Sequence, residues 1–288
     1  MLEVVIWGVI LGCIYALIAV GLTLIFGVMK VVNLAHGVFF MWGAYITYWL
    51  NVNFGINSYL ALIPSLCIVG LIGMLVMRFF FRPFLYTEPP ALRYKLQLFM
   101  SLALIYIFES SAVLLWTEET RELVSPFRYT AVPLGPIILA GDYVVGIVLT
   151  AAVLAFLALF LKRSMLGRAI VGTSQNMDAA LLMGVNVERV YLLTFGLATM
   201  MAVVAGVIFG MVVNINPYMG LMPTITSFCI IILGGMGSII GALVGAFVIG
   251  IAQSAAIFYL GGPWKDVVAF IIVIIILLLR PQGLFGGR

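Results

Sequence analysis

Long apolar runs separated by short polar clusters set the character of this chain. Runs occupy Val4–Met29, His36–Leu50, Tyr59–Phe81, Leu96–Trp116, Tyr143–Leu161, Val190–Val213, Leu221–Leu260 and Val267–Leu279. Several exceed about 18 residues, enough to cross a hydrocarbon core of roughly 30 Å as helices. The short alternating segments of a β-barrel are absent from the pattern. It predicts an all-α, polytopic integral membrane protein, with residues 1–288 forming one transmembrane domain of about eight or nine spans. Leu221–Leu260 is too long for one crossing, because forty residues of helix measure about 60 Å. A break is expected at "LGGMGS", Leu233–Ser238. Nine spans result if both halves cross; eight result if one half is re-entrant, and a terminus then changes side.

Charge orients the spans. Basic residues collect on cytoplasmic loops. Residues 78–95 carry Arg78, Arg82, Arg93 and Lys95, and residues 162–189 carry Lys162, Arg163, Arg168 and Arg189. Residues 117–141 carry Glu118, Glu119 and Glu122 against Arg121 and Arg128. The first two loops are therefore placed inside and the third outside. Lys30, Arg280 and Arg288 then fall inside, and Asn214–Gly220 and the N-terminus outside. The opening M-L-E-V lacks a basic n-region and a cleavage site, so the first run is expected to be a retained span rather than a signal peptide.

Composition agrees. The chain is 65% hydrophobic and 8% charged, where a soluble domain carries about 25% charged residues. A net charge of +4 reports orientation rather than nucleic-acid binding. Cys13, Cys67 and Cys229 lie in apolar runs without metal-ligand spacing and are expected to be buried small hydrophobes. One histidine and three scattered cysteines do not make a usual zinc site. No H-E-x-x-H, G-x-S-x-G or G-x-x-x-x-G-K-[ST] pattern occurs, so neither an intramembrane enzyme nor a built-in nucleotide motor is expected. No cofactor is implied.

Five places carry candidate chemistry. "NLAHG", residues 33–37, puts Asn33, the single histidine His36 and the helix breaker Gly37 between two spans. It reads as a cytoplasmic turn in which His36 caps the second helix, as a gate, or as a substrate contact. A break at membrane depth is tolerated only inside protein or beside water. Its expected partner break is "LGGMGS". Within and after that stretch, small residues recur every four positions: Gly237, Gly241 and Gly245, and Gly234, Ser238, Ala242, Ala246 and Gly250. Such rows pack helices closely or line a narrow path. Glu109, inside a span, is a functional candidate because intramembrane carboxylates are costly. Asn214 and Asn216 stand at an outer helix end, as caps or ligands.

The fifth is the loop 162–189. Thr173 or Ser174 is placed to cap a short helix running to Met183, with Asp178 in its early turns. Met177, Ala180, Leu181 and Gly184 share a face by i, i+3, i+4 spacing, and Gly184 is placed to end it. Such a cytoplasmic helix needs cover, from a docked protein or from the membrane surface.

Taken together, several stretches resemble the permease subunit of branched-chain amino acid ABC importers. They are "GLTLIFGVMKVVNLAHGVFFMWGAY", "RSMLGRAIVGTSQNMDAALLMGVNVERVYLLTFGLATMMAVVAGVIFG", "NPYMG", "ILGGMGSIIGALVGAFVIG" and "RPQGLFG". The family also includes permeases for urea, short amides and other small polar solutes. The resemblance implies a bacterial plasma (inner) membrane permease that forms the path for an amino acid or similar small polar solute. It implies a second permease subunit, commonly making a heterodimer, two cytoplasmic ATPase subunits and a periplasmic solute-binding protein. It identifies Asp178-Ala179-Ala180 and Gly184 with an E-A-A-x-x-x-G coupling helix, flanked by Ser174, Met177 and Leu181. Path candidates are Asn33, His36, Gly37, Glu109, Thr226, Gly234, Gly235, Gly237 and Ser238. Three positions lack charge that the family often carries: Val38, Thr226 and Gln253. A gradient-driven transporter, a passive channel and a non-transporting membrane scaffold are the other classes that broken apolar helices could serve.

Overall fold

The computed structural model describes residues 1–134 and 137–285; Arg288, placed inside by the charge argument, lies outside the described residues. Its helices are α1 (Leu2–Met29), α2 (His36–Phe54), α3 (Ser58–Val76), α4 (Pro90–Trp116), α5 (Gly141–Arg163), α6 (Met165–Gln175), α7 (Met177–Leu182), α8 (Val187–Val212), α9 (Leu221–Gly234), α10 (Ile239–Tyr259) and α11 (Trp264–Leu279). An outer hairpin pairs β1 (Ala131–Leu134) with β2 (Ile137–Ala140), a feature the apolar pattern does not predict.

Helix starts follow cap chemistry. Asn57, Ser164, Asn176, Asn186 and Ser238 each accept a backbone N–H of the first turn of α3, α6, α7, α8 and α10. Side-chain oxygens at this position satisfy donors that the helix itself leaves free.

The core is α1 and α8, with α2, α3, α9 and α10 packed around them. Small residues decide how closely they approach. A methyl group on Gly8 would lie 2.6 Å from Cα of Ile251, and one on Gly250 would lie 2.5 Å from the Gly12 backbone nitrogen. The small-residue rows of α10 therefore include a helix-packing face, on which the antiparallel α1 lies. The Ser254 hydroxyl closes the far end by donating to the Val4 carbonyl at 2.7 Å. Dispersion at such short range is a main source of helix affinity where lipid offers no hydrophobic contrast.

Two crossings are broken in matching ways. At the inner end of α1, Lys30 takes a left-handed conformation (φ 54°) and the chain turns back into the bundle. Residues 31–35 are non-helical. The Val32 carbonyl accepts the Ser101 hydroxyl at 3.3 Å. α2 starts only where His36 reaches Gly21, nine residues and so about 13 Å up α1 from Lys30. From the outer end of α8, residues 213–220 dive inward, and α9 starts where Gly220 meets Gly37. α9 then runs to the inner side, where Gly237 lies beside Gly27. There the chain returns as α10, and residues after α11 dock on the α9 end (Leu284 N–H to Leu233 carbonyl, 2.8 Å). Among the described residues six helices are long and apolar enough to cross a membrane by themselves, and α2 and α9 are each led into the bundle by non-helical backbone. α9 spans about 21 Å on its own. The break at "LGGMGS" therefore lies at the inner surface and turns α9 into α10, with Gly235 and Gly237 at φ 97° and 95°.

Candidate functional site

The two broken crossings converge. A methyl group on Gly37 would lie 2.1 Å from the Gly220 carbonyl oxygen, and one on Gly220 would lie 2.2 Å from the Gly37 carbonyl oxygen. Only glycine permits that contact. Neither helix start has a side-chain cap: Ala35 precedes α2 and Gly220 precedes α9. Two half-helices thus direct their positive dipole ends at one region inside the bundle.

This corrects two expectations. His36 does not cap α2, and "NLAHG" is not a cytoplasmic turn; Asn33 and His36 are both fully buried. The reason is the upward run of residues 31–35, which carries them to membrane depth. The nitrogens of His36 and both side-chain polar atoms of Asn33 have no hydrogen-bond partner among the described residues. Buried polar groups are normally paired, so this segment holds unused hydrogen-bonding capacity. The partner of "NLAHG" is also not "LGGMGS" but the Gly220 end of "NINPYMG", because all of α9 stands between Gly220 and Gly234.

Glu109 on α4 joins this region. It lines a cleft with Leu34, Gly37, Val38, Pro217 and Gly220 that is too narrow to admit water in this conformation. Glu109 is half-buried and forms no ion pair among the described residues. A carboxylate in one cleft with two helix N-termini provides one anionic and one electropositive pole in a small apolar space.

Thr226 sits one turn further along α9, buried, beside the Tyr15 hydroxyl. Tyr15 donates to Gln253 Oε1 at 2.7 Å, and Gln253 Nε2 donates to Asp266 Oδ1 at 3.2 Å. Two of the three positions singled out in the sequence for lacking charge, Thr226 and Gln253, therefore meet at one phenol, in a hydrogen-bonded string that ends on the Asp266 carboxylate. Val38, the third, lines the Glu109 cleft.

At the inner break, a methyl group on Gly234 would lie 2.3 Å from the Gly241 carbonyl, so the α9–α10 hairpin is closed by backbone contact. Ser238 caps α10 through the Gly241 N–H at 3.0 Å. Gly234, Gly235, Gly237 and Ser238 are thus brought together, but apart from Asn33, His36, Gly37 and Glu109.

The inner loop 162–189 holds two helices, not one. Ser174 and Thr173 end α6; Ser174 donates to the Val171 carbonyl at 2.7 Å. The cap of α7 is Asn176, which accepts the Ala179 N–H at 3.0 Å. Asn176 has extended backbone (φ −153°, ψ 106°), as a cap requires, whereas residues 173 and 174 are helical. Gly184 ends α7 as expected, at φ 78°, with its N–H on the Leu181 carbonyl and the Val185 N–H on the Ala180 carbonyl. That double bond pattern is the Schellman ending. The expected shared face is split: Ala180 is buried and Met177 half-buried under the Tyr191 hydroxyl, while Leu181, Leu182 and Met183 are 48%, 89% and 84% exposed. Asp178 stands in the first turn and is exposed.

On the outer side, the residue 117–130 loop clasps the lead-in to α9. Arg121 and Ile215 exchange backbone hydrogen bonds at 2.9 and 2.7 Å, and Tyr218 donates to Glu118 at 3.0 Å. The Arg121 guanidinium stacks on Trp49 at 5.2 Å, and the Tyr48 phenol beside it holds its pKa above the ordinary value. Asn216 accepts the Tyr218 N–H, forming the turn; it is a local cap. Of the three cysteines expected to be buried, Cys13 is, Cys229 is half-buried and Cys67 is exposed on the surface of α3.

Gly220 escaped the sequence reading, yet a signal exists. "IFG" occurs at 25–27 and 208–210, and each copy is followed ten positions after its glycine by another glycine, Gly37 and Gly220. The repeat marks the ends of α1 and α8 and the two glycines that touch.

Residues 4–277 match the family described as branched-chain amino acid transport system / permease component. The high-affinity branched-chain amino acid transport system permease protein LivH of Escherichia coli K12 is 33% identical over 304 residues, covering 97% of this chain and 93% of the relative. The corresponding protein BraD of Pseudomonas aeruginosa is 32% identical, covering 99% and 95%. The autoinducer 2 import system permease protein LsrC of Escherichia coli is 29% identical over 61% of this chain and 51% of its own length.

Proposed function

We propose that this chain, which belongs to the branched-chain amino acid transport permease family, carries a small zwitterionic solute of the branched-chain amino acid type through the inner membrane of a bacterium as the permease subunit of an ABC importer. It performs no chemistry itself. ATP is hydrolysed by two separate subunits, a second permease chain completes the path, and a periplasmic solute-binding protein delivers the solute to the outer loops.

The observation that carries this reading is α7. A short helix on the inner side, capped at both ends and fixed by Ala180 and Met177, holds Leu181–Met183 out into solvent. Exposed apolar side chains at the tip of a rigid element mark an interaction site. Asp178, Ala179, Ala180 and Gly184 form the coupling helix, and residues 162–189 the coupling loop. ATP-driven closure of the docked subunits moves this loop and shifts the permease between outward and inward access, to the extent that the docked partner binds the two states differently.

The path runs past the Gly37–Gly220 contact. Half-helix N-termini suit the carboxylate of an amino acid, Glu109 suits its ammonium group, and Asn33 and His36 supply further polar contacts. Thr226 follows along α9, and Gly234–Ser238 forms the inner end. The contact is closed here, as an occluded gate requires.

The test is reconstitution in liposomes. Uptake of radiolabelled leucine is expected only with the ATPase subunits, internal ATP and the loaded binding protein. Uptake by permease chains alone would overturn the reading in favour of a passive or gradient-driven carrier.

A further inference from the structure

At its inner end α3 does not stop but widens into a π turn, Met77–Phe81, and then tightens into a 3₁₀ turn, Arg82–Phe84. This change of pitch sorts three consecutive aromatics. Phe81 is fully buried, its ring 5.6 Å from that of Phe195, whereas Phe79 and Phe80 are 64% and 37% exposed. Between these turns and the start of α8 lies a cavity of about 290 Å³. Met77 and Leu192 give it apolar walls, and Arg78, Arg82 and Arg189 line it together with Glu188. Arg82 is paired with Glu188 at 2.5 Å; Arg78 and Arg189 form no ion pair among the described residues. Three guanidinium groups against one carboxylate leave the cavity doubly positive.

We propose that this cavity binds the phosphate of an anionic phospholipid from the inner leaflet. Guanidinium groups recognise phosphate oxygens in bidentate geometry. Basic pockets between spanning helices on the cytoplasmic side are where anionic headgroups bind. The position of the cavity adds the second half of a lipid. Phe79 and Phe80 are exposed on the same turns, at the inner boundary of a bilayer-facing helix, where acyl chains pass. A free phosphate would use the arginines but not the aromatics. The cavity also touches both the end of α3 and the start of α8, the helix that leads out of the coupling loop, so a bound headgroup ties the loop to the bundle.

The experiment uses the assembled transporter purified in mild detergent and examined by native mass spectrometry after exposure to phosphatidylglycerol, cardiolipin or phosphatidylcholine. The wild type is expected to retain phosphatidylglycerol or cardiolipin. An Arg78→Gln/Arg189→Gln double variant is expected to retain at least fivefold less, Arg78→Lys/Arg189→Lys to fall between, and Lys162→Gln/Arg163→Gln to match the wild type. Thermal melting in phosphatidylcholine reports whether each variant is folded. Because Arg78 and Arg189 are exposed and form no ion pair among the described residues, the Gln variants are expected to melt as the wild type does. Equal loss in the Lys162/Arg163 variant would make the effect one of bulk charge and overturn the site. Displacement of lipid by millimolar inorganic phosphate would assign the cavity to a free anion. Unchanged lipid retention in the double variant with loss of the ATPase subunits would make it a protein contact. Each of these three outcomes refutes the proposal.

Discussion

Gly37 and Gly220 touch backbone to backbone at the starts of two half-helices that enter the bundle from opposite sides, one from the end of α1 and one from the end of α8. A methyl group on either would overlap the other's carbonyl oxygen. Overpacking of this kind costs about 1–3 kcal/mol, and here the obstructing atoms belong to backbone and cannot rotate away. Gly37→Ala and Gly220→Ala are each expected to hold the contact open, lowering coupled uptake at least tenfold while the complex still assembles. Leucine uptake and basal ATPase rate in proteoliposomes measure this; unchanged uptake in both variants would remove the contact from the path.

Glu109 is the second handle on the same region. If it receives the ammonium group of the solute, Glu109→Gln is expected to reduce uptake at least tenfold and Glu109→Asp less. The permease should melt at the same temperature, because the side chain is half-buried and makes no ion pair among the described residues. A carboxylate serving only headgroups would leave uptake unchanged in both variants.

At the coupling loop, Leu182→Asp/Met183→Asp is expected to detach the ATPase subunits without altering permease stability, since both side chains are more than 80% exposed. Co-purification and ATP-driven uptake measure this. Gly184→Val acts differently: no atom lies within 4 Å of its added Cβ, so the cost comes only from φ 78°, about 1–2 kcal/mol. It should weaken docking severalfold rather than abolish it.

Gly250→Leu tests the packing of α1 on α10. The added Cβ would lie 2.5 Å from the Gly12 nitrogen and 2.6 Å from the Gly8 carbonyl oxygen. Loss of folded permease in a detergent melting assay is expected, with no stage at which folded protein accumulates but fails to transport. A folded, inactive variant would instead give this face a role in the path.

The membrane class, the division of Leu221–Leu260 and the Gly184 ending were all legible in the sequence. They depend on local quantities: run length against bilayer thickness, and the left-handed conformation that glycine accepts. Asn176 was legible in principle too, being a cap residue adjacent to Met177, but Thr173 and Ser174 offered the same chemistry three and two positions earlier. Choosing among them required knowing that α6 continues to Gln175.

The depth of "NLAHG" was decided only by tertiary structure. Five non-helical residues can follow the membrane surface or climb into the bundle, and their composition is the same in both cases. What sends them inward is the groove that Gly21 leaves on α1, the polar groups of Gln97 and Ser101 on α4, and the matching descent of residues 213–220 to Gly220. These partners lie tens to hundreds of residues away, beyond the reach of any local pattern. The sequence by itself therefore determined that the chain breaks at "NLAHG" and "LGGMGS", and packing alone determined that "NLAHG" lies inside the bundle and meets the Gly220 end of "NINPYMG".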